Sequence, residues 1–295
     1  MTIEDAIRRA KILGQARLQH EKSSDVRASR SSEPRPVAEE RYSAPRPIAP
    51  AMNFAPLQTV EISTEACAQY RILLIDSQLR EFAAADAAYR LLRSRLQNRL
   101  KKSNWFSLAI ASPNSGDGKT VTALNLAISI AREKQRPVYL LDLDMRNPSA
   151  CRFLGIQDIR PLPDYFLGHA RPEEVLFETS LPNLIVAGAL GPTEGASEML
   201  AGPRFSDLLA HIRLRSPDAF VLVDAPPVTL TDEALLIGPR VDGFLIVVSE
   251  GKTERKDLSQ TLTTLGEFTV AGVVINRSSD GQTTGYGQYS AYATA

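Results

Sequence analysis

In Ser112-Pro-Asn-Ser-Gly-Asp-Gly-Lys-Thr120, two glycines flank an aspartate directly before a lysine and a threonine. Glycine lets a backbone approach a ligand closely, and N–H groups at a turn that opens a helix point at anions. A lysine at that point reaches terminal phosphates, and a threonine hydroxyl next to it ligates Mg²⁺. Ser115, Gly116, Asp117, Gly118, Lys119, Thr120 and Val121 are therefore the candidate phosphate-binding residues. One position departs from G-x-x-x-x-G-K-S/T: Pro113 stands where the first glycine is expected.

Two further strings place carboxylates at the ends of apolar runs. Val138-Tyr-Leu-Leu-Asp-Leu-Asp-Met-Arg-Asn-Pro148 carries Asp142, Asp144 and Arg146. Phe220-Val-Leu-Val-Asp-Ala-Pro-Pro227 carries Asp224, and its two prolines end the strand and fix the exit turn. Open α/β sheets bind ligands at the carboxyl ends of their strands, so Asp224 is placed to hold Mg²⁺ directly or through water. Asp142 and Asp144 point to opposite faces for as long as the chain stays a strand. Only one of them faces the phosphates, unless the strand ends between them. The three strings, in this order, predict a Mg–nucleotide site with Thr120, Asp144 and Asp224 as metal ligands.

These residues need a scaffold, and the hydropathy pattern supplies one. Apolar runs at Phe106–Ala111, Val138–Leu143, Leu184–Ala187, Phe220–Val223, Phe244–Val248 and Val270–Ile275 read as buried strands. Helical patterns at Gly118–Lys134, Arg204–Arg215 and Arg255–Glu267 lie between them. Near-continuous apolar strands alternating with helices predict an α/β fold, a doubly wound and mostly parallel sheet flanked by helices. Ahead of it, Phe82, Ala85, Tyr89, Leu92, Leu96 and Leu100 form one helical stripe, with arginines largely off it. Residues 1–20 read as an amphipathic helix, and the proline-rich residues 21–68 as a disordered linker. The globular domain is expected over 69–277, followed by a flexible tail at 278–295.

Composition narrows the function. The 295 residues carry 34 Lys+Arg against 34 Asp+Glu, without the basic excess of a nucleic-acid binder. The longest clean apolar stretch is about six residues, far short of the ~20 of a membrane span. No apolar signal-peptide core follows the start. Cys67 and Cys151 are isolated, so neither a disulfide framework nor a zinc site is expected, and a reducing cytoplasm is the default. Three of the eight tyrosines, Tyr286, Tyr289 and Tyr292, fall in the final ten residues. Aromatic side chains in a Gly/Ser tail with nothing to pack on have little structural reason to be there.

The combination SPNSGDGKT, LLDLDMRNP and VLVDAPP resembles the bacterial tyrosine kinases, a branch of the P-loop NTPases of ParA/MinD-like class. Asp142, Asp144 and Arg146 match that family's D-x-D-x-R string, and Asp224, Pro226 and Pro227 match its D-x-P-P. The resemblance covers roughly residues 80–295 and is nearest to stand-alone kinases of exopolysaccharide and exosortase-associated clusters. It implies ATP and Mg²⁺ as cofactors, Lys119, Asp142, Asp144 and Arg146 as catalytic residues, Asp142 being the candidate base or aligner, and autophosphorylation in trans of Tyr286, Tyr289 and Tyr292. Asn276 and Arg277, in Val273-Val-Ile-Asn-Arg277, resemble the strand-end segment that reads the adenine. Arg90 and Arg93 match two positions of an E-x-x-R-x-x-R oligomerisation motif, with Ala87 at the glutamate. A ring-like homo-oligomer is implied, with a separate transmembrane activator or polysaccharide co-polymerase that holds the kinase at the inner face of the membrane. The rival readings are a ParA/MinD-like ATPase and a weakly catalytic regulatory subunit. ParA/MinD enzymes carry an extra lysine, used across a dimer interface, where this chain has Asn114.

Overall fold

The computed structural model describes residues 54–74 and 80–278. The elements run β1 (Gln58–Val60), α1 (Thr64–Gln69), α2 (Arg80–Ser103), β2 (Ser107–Ala111), α3 (Lys119–Ala131), β3 (Val138–Asp142), α4 (Ala150–Leu154), α5 (Leu162–Phe166), α6 (Pro172–Val175), β4 (Phe177–Thr179), β5 (Leu184–Ala187), α7 (Ala196–Ala201), α8 (Arg204–Arg215), β6 (Phe220–Asp224), α9 (Glu233–Ile237), β7 (Phe244–Ser249), α10 (Arg255–Thr264) and β8 (Val270–Asn276). The eight strands form one sheet in the order β1-β4-β5-β3-β6-β2-β7-β8. All pairs are parallel except β4 with β5.

Both faces of the sheet are covered, as the unbroken apolar strands require. β2 shows how one strand serves two layers. Leu108 and Ile110 pack with the α3 residues Ala123, Leu124 and Ala127. Ala109 and Ala111 face the opposite side, with Phe205, Leu208 and Ile212 of α8. β2, β3 and β6 are buried along their whole length. β8 closes one edge and is only half-buried, with Ile275 exposed.

The six predicted strands all form, within a residue or two at their ends. The expected linker through residue 68 is corrected at its C-terminal part. Gln58–Val60 pairs in parallel with β4, and Leu57 packs into the core. Ser63 then caps α1, its Oγ accepting the Ala66 N–H at 3.2 Å, while its own N–H donates to the Leu154 carbonyl. The N-terminal amphipathic helix, the rest of the linker and the tyrosine tail lie outside the described residues. Among the described residues no helix is long and apolar enough to cross a membrane.

Candidate active site

The parallel register brings the chemistry to one edge. Asp142 at the end of β3 lies beside Asp224 at the end of β6, and Asp224 is paired in turn with Ile110 near the end of β2. The phosphate loop leaves β2 just beyond and opens α3, whose N-cap is Gly118. Gly118 has φ +96°, and a Cβ there would lie 1.9 Å from Asn276 Nδ2, so only glycine fits. Pro113, in place of the first glycine, is buried, and its carbonyl accepts the Thr229 Oγ1 hydroxyl at 2.6 Å, from the segment that follows Pro226 and Pro227.

Lys119 and Thr120, the first two helical residues, point into a buried polar cluster. Lys119 Nζ stands 2.6 Å from Asp144 Oδ2 and 3.5 Å from Asp224 Oδ1. Thr120 Oγ1 donates to Asp224 Oδ2 at 2.5 Å, and Ser149 Oγ donates to Thr120 Oγ1 at 3.3 Å. Asp224 Oδ1 is buried and accepts no hydrogen bond. A hydroxyl and carboxylate oxygens are the hard donors that Mg²⁺ takes alongside substrate phosphates, so Thr120 and Asp224 fit that ion. No cage of three or more His, Cys, Asp or Glu occurs among the described residues, and a metal shared with phosphates needs only one or two carboxylates.

The electrostatics are those of a site one cation short. Burial opposes the Lys119 ammonium, yet Asp224, Asp144 and Asp142 together outweigh it and hold it above its ordinary value. Burial pushes Asp224 up to about 7, against the pull of Lys119, and the neighbouring Asp142 adds to the shift. Asp142 is likewise raised by burial, opposed by Lys119 and by its backbone donors. One lysine therefore serves three carboxylates.

β3 ends at Asp142, between the two aspartates, and this divides them. Asp144 turns to Lys119. Asp142 is fully buried and spent on backbone: Oδ2 accepts the Ser149 and Ala150 N–H groups, each at 2.9 Å, and Oδ1 accepts the Asp144 N–H at 3.1 Å. Both oxygens of Asp142, expected as base or aligner, accept N–H groups of the chain that carries Asp144, an arrangement suited to the aligning role.

The remaining candidates fall on different sides. Ser115 and Gly116 are exposed at the mouth of the loop, and Val121 is half-buried on the first turn of α3. Asn276 Nδ2 donates to the Asp117 carbonyl at 2.9 Å, and its Oδ1 accepts the Arg277 N–H, so the end of β8 is tied to the phosphate loop. Arg146 lies apart from the Lys119 cluster: its Nε pairs with the buried Glu233 at 2.5 Å and its Nη2 reaches Ser197 Oγ at 3.3 Å. Arg93 is not offered outward as an interface arginine. It brackets α2 to α3 through Glu133 at 2.9 Å and the Ser129 carbonyl at 2.7 Å. Arg90 is exposed and pairs with Asp86 at 3.3 Å. Sequence reasoning missed Ser149, Glu233, Lys252 and Asp257. For Ser149 and Lys252 the usable signal was position, each lying just past the end of a predicted strand on the phosphate edge.

Residues 108–289 match the CobQ/CobB/MinD/ParA nucleotide-binding domain. The tyrosine-protein kinase CpsD of Streptococcus agalactiae is 26% identical over 225 residues, which cover 75% of this chain and 96% of that protein. The tyrosine-protein kinase YwqD of Bacillus subtilis is 26% identical over 203 residues, 68% of this chain and 84% of that one. Among solved structures, the VpsO kinase domain gives a TM-score of 0.60 at 25% identity, covering 70% of this chain and 100% of that one. The kinase domain of the Escherichia coli tyrosine kinase ETK shares the fold, with a TM-score of 0.63 at 23% identity over 78% and 94% of the two chains. The chain belongs to the CobQ/CobB/MinD/ParA nucleotide-binding family, where it stands with the bacterial tyrosine kinases.

Proposed function

We propose that this chain is a protein-tyrosine autokinase, transferring the γ-phosphoryl group of ATP to Tyr286, Tyr289 and Tyr292 of a neighbouring copy. The observation that carries the reading is the buried set Lys119, Thr120, Asp144 and Asp224, gathered at the end of a phosphate loop. Phosphoryl transfer needs positioning and charge neutralisation more than covalent help. Mg²⁺ bound with the nucleotide supplies charge neutralisation at the transferring group. Thr120 Oγ1 and Asp224 would hold that ion. Lys119 Nζ moves from Asp144 to the phosphate oxygens, and the loop N–H groups orient them. Asp144, released from the lysine, accepts the tyrosine hydroxyl proton as the phenolic oxygen bonds to the γ-phosphorus and the bond to the β–γ bridging oxygen breaks, releasing ADP. The acceptor has an ordinary pKa near 10, so a carboxylate beside it helps. Asp142 keeps the Asp144 backbone in place.

The tail can serve as acceptor by length alone. Residues 278–295, fully extended, span at most about 60 Å, and tethering gives a high effective concentration at an adjacent site. Three phosphotyrosines add roughly −5 charge, so neighbouring tails repel and a homo-oligomer loosens. Arg90, exposed on α2, is the available contact for such an assembly. The same reading places the chain at the inner face of the membrane through a separate membrane-spanning activator, in the regulation of exopolysaccharide export. The names of the kinase relatives support the tyrosine part of it.

Incubating the full chain with γ-labelled ATP and Mg²⁺, then mapping the label, tests the proposal. Label on the tail tyrosines is expected. Free phosphate as the sole product would make the chain a ParA/MinD-like ATPase, and no turnover would make it a regulatory subunit. The ATPase alternative is disfavoured by position 114, where the amide of Asn114 is tied to Asp257 of the same chain at 2.8 Å.

A further inference from the structure

The loop between β7 and α10 shapes the phosphate loop, although the D-x-D and D-x-P-P strings do not include it. Asn114 Nδ2 donates to Asp257 Oδ2 at 2.8 Å, on the first turn of α10. Lys252 Nζ donates to the Ser115 carbonyl at 2.8 Å. The same ammonium lies 3.9 Å from Asp117 Oδ1, and 2.7 Å from where a Cβ on Gly116 would stand. Gly116, at φ +77°, is thus both the residue that makes the turn and the one that leaves room for Lys252.

Asp117 is the unusual member of the loop. Its side chain is fully buried, and Oδ2 accepts the Asn114 N–H at 3.0 Å, which closes the turn. Oδ1 is buried without a hydrogen bond. A buried carboxylate two residues before Lys119 fixes the loop, but it opposes any anionic ligand by Coulomb repulsion. Burying an uncompensated charge is costly, so a loop built this way needs a cation close by. Lys252 faces Asp117 from the side where the loop is exposed, and 47% of its own side chain remains in solvent.

We propose that Lys252 is a positioning residue of the nucleotide site, which holds Ser115–Gly118 in its anion-receiving shape and offsets the Asp117 carboxylate. The site is thereby completed by a cation of the same chain. This rests on the nucleotide-binding reading above and adds a residue to it. Because Lys252 acts on the loop and not on the transferring group, its loss weakens ATP and ADP alike.

The test is titration of a fluorescent ADP, with Mg²⁺, into the full-length wild type, Lys252→Ala, Lys252→Arg, Asp117→Asn and the Lys252→Ala/Asp117→Asn double variant. Lys252→Ala is expected to bind about tenfold more weakly, with melting temperature unchanged and kcat at saturating ATP within about threefold of wild type while KM rises with Kd. Lys252→Arg retains binding. In the Asp117→Asn background the loss shrinks to about threefold or less, because the charge to be offset is gone. Wild-type affinity in Lys252→Ala overturns the proposal, and so do equal losses in the two backgrounds. A wild-type chain that binds no nucleotide overturns the underlying reading and this inference with it.

Discussion

The phosphate edge of the sheet and the seam between α2 and α3 both hold charged groups away from water, on different terms. At the seam each arginine has its own carboxylate partner, although Arg93 Nε and Arg132 Nε are buried without a hydrogen bond. Arg93 meets Glu133 and the Ser129 carbonyl, and Arg132 meets Asp86 at 2.9 Å and the Leu73 carbonyl. At the edge, Lys119 stands against three buried aspartates, and Asp224 Oδ1 accepts no hydrogen bond. The seam stabilises the fold, whereas the edge gathers more buried carboxylates than its one lysine offsets, an excess that the proposed Mg²⁺ would reduce. Stability and binding should therefore respond in opposite ways to mutation in the two regions.

The largest expected effect is at Asp224. Asp224→Asn should weaken Mg·nucleotide binding roughly 100-fold or more, since it removes a proposed metal ligand, and should leave the ligand-free melting temperature unchanged or higher, since it removes a buried like charge. A fall of several degrees would break the comparison. The two aspartates of β3 divide next. Asp144→Asn should cut tyrosine phosphorylation about 100-fold or more with the melting temperature held, as loss of a general base does. Asp142→Ala should cost about 2 kcal/mol in urea unfolding, because it strands three backbone donors.

A pH series sharpens the contrast. The folded chain holds the Asp224 carboxyl at about 7. Between roughly pH 4 and that value it keeps a proton that the unfolded chain has released, so ligand-free stability falls as pH rises through the window. Mg·nucleotide binding needs the anion, so affinity should rise over the same window, by about tenfold per unit below pH 7. Asp224→Asn should flatten both profiles. At the seam, Arg93→Ala should cost about 2 kcal/mol of stability while nucleotide affinity stays within about threefold. The smallest effect is expected at Arg90, whose exposed pair with Asp86 should change stability by no more than about 0.5 kcal/mol on mutation to alanine. Any loss there should show as a change of assembly state by light scattering.

The edge was legible in sequence because its chemistry sits on short contiguous strings, and parallel strands deliver their carboxyl ends to one place. Lys119, Thr120, Asp144 and Asp224 could be named, and the sheet predicted, from glycine spacing and apolar runs alone. The seam was not legible. Arg93 reads as one arginine among several on a helix, and its partners lie 36 and 40 positions away, on α3 and in the turn just after it. The roles of Asp142 and Asp144 depended on where β3 stops, which a one-residue shift decides. β1 and β4 escaped notice because three residues of mixed polarity carry no period, and β1 is held by pairing with a strand more than 100 positions away. Lys252 was hidden because a lysine in a turn is ordinary until the fold sets it against a buried aspartate.

The central claim, transfer to the tail of another copy, is tested most directly by mixing two chains. One carries Tyr286→Phe, Tyr289→Phe and Tyr292→Phe with the site intact; the other carries Lys119→Met with the tail intact. After incubation with Mg·ATP, mass spectrometry should find phosphate on Tyr286, Tyr289 or Tyr292 of the Lys119→Met chain, and none when that chain is incubated alone. An unmodified tail in the mixture, with ATP consumed, would contradict the account.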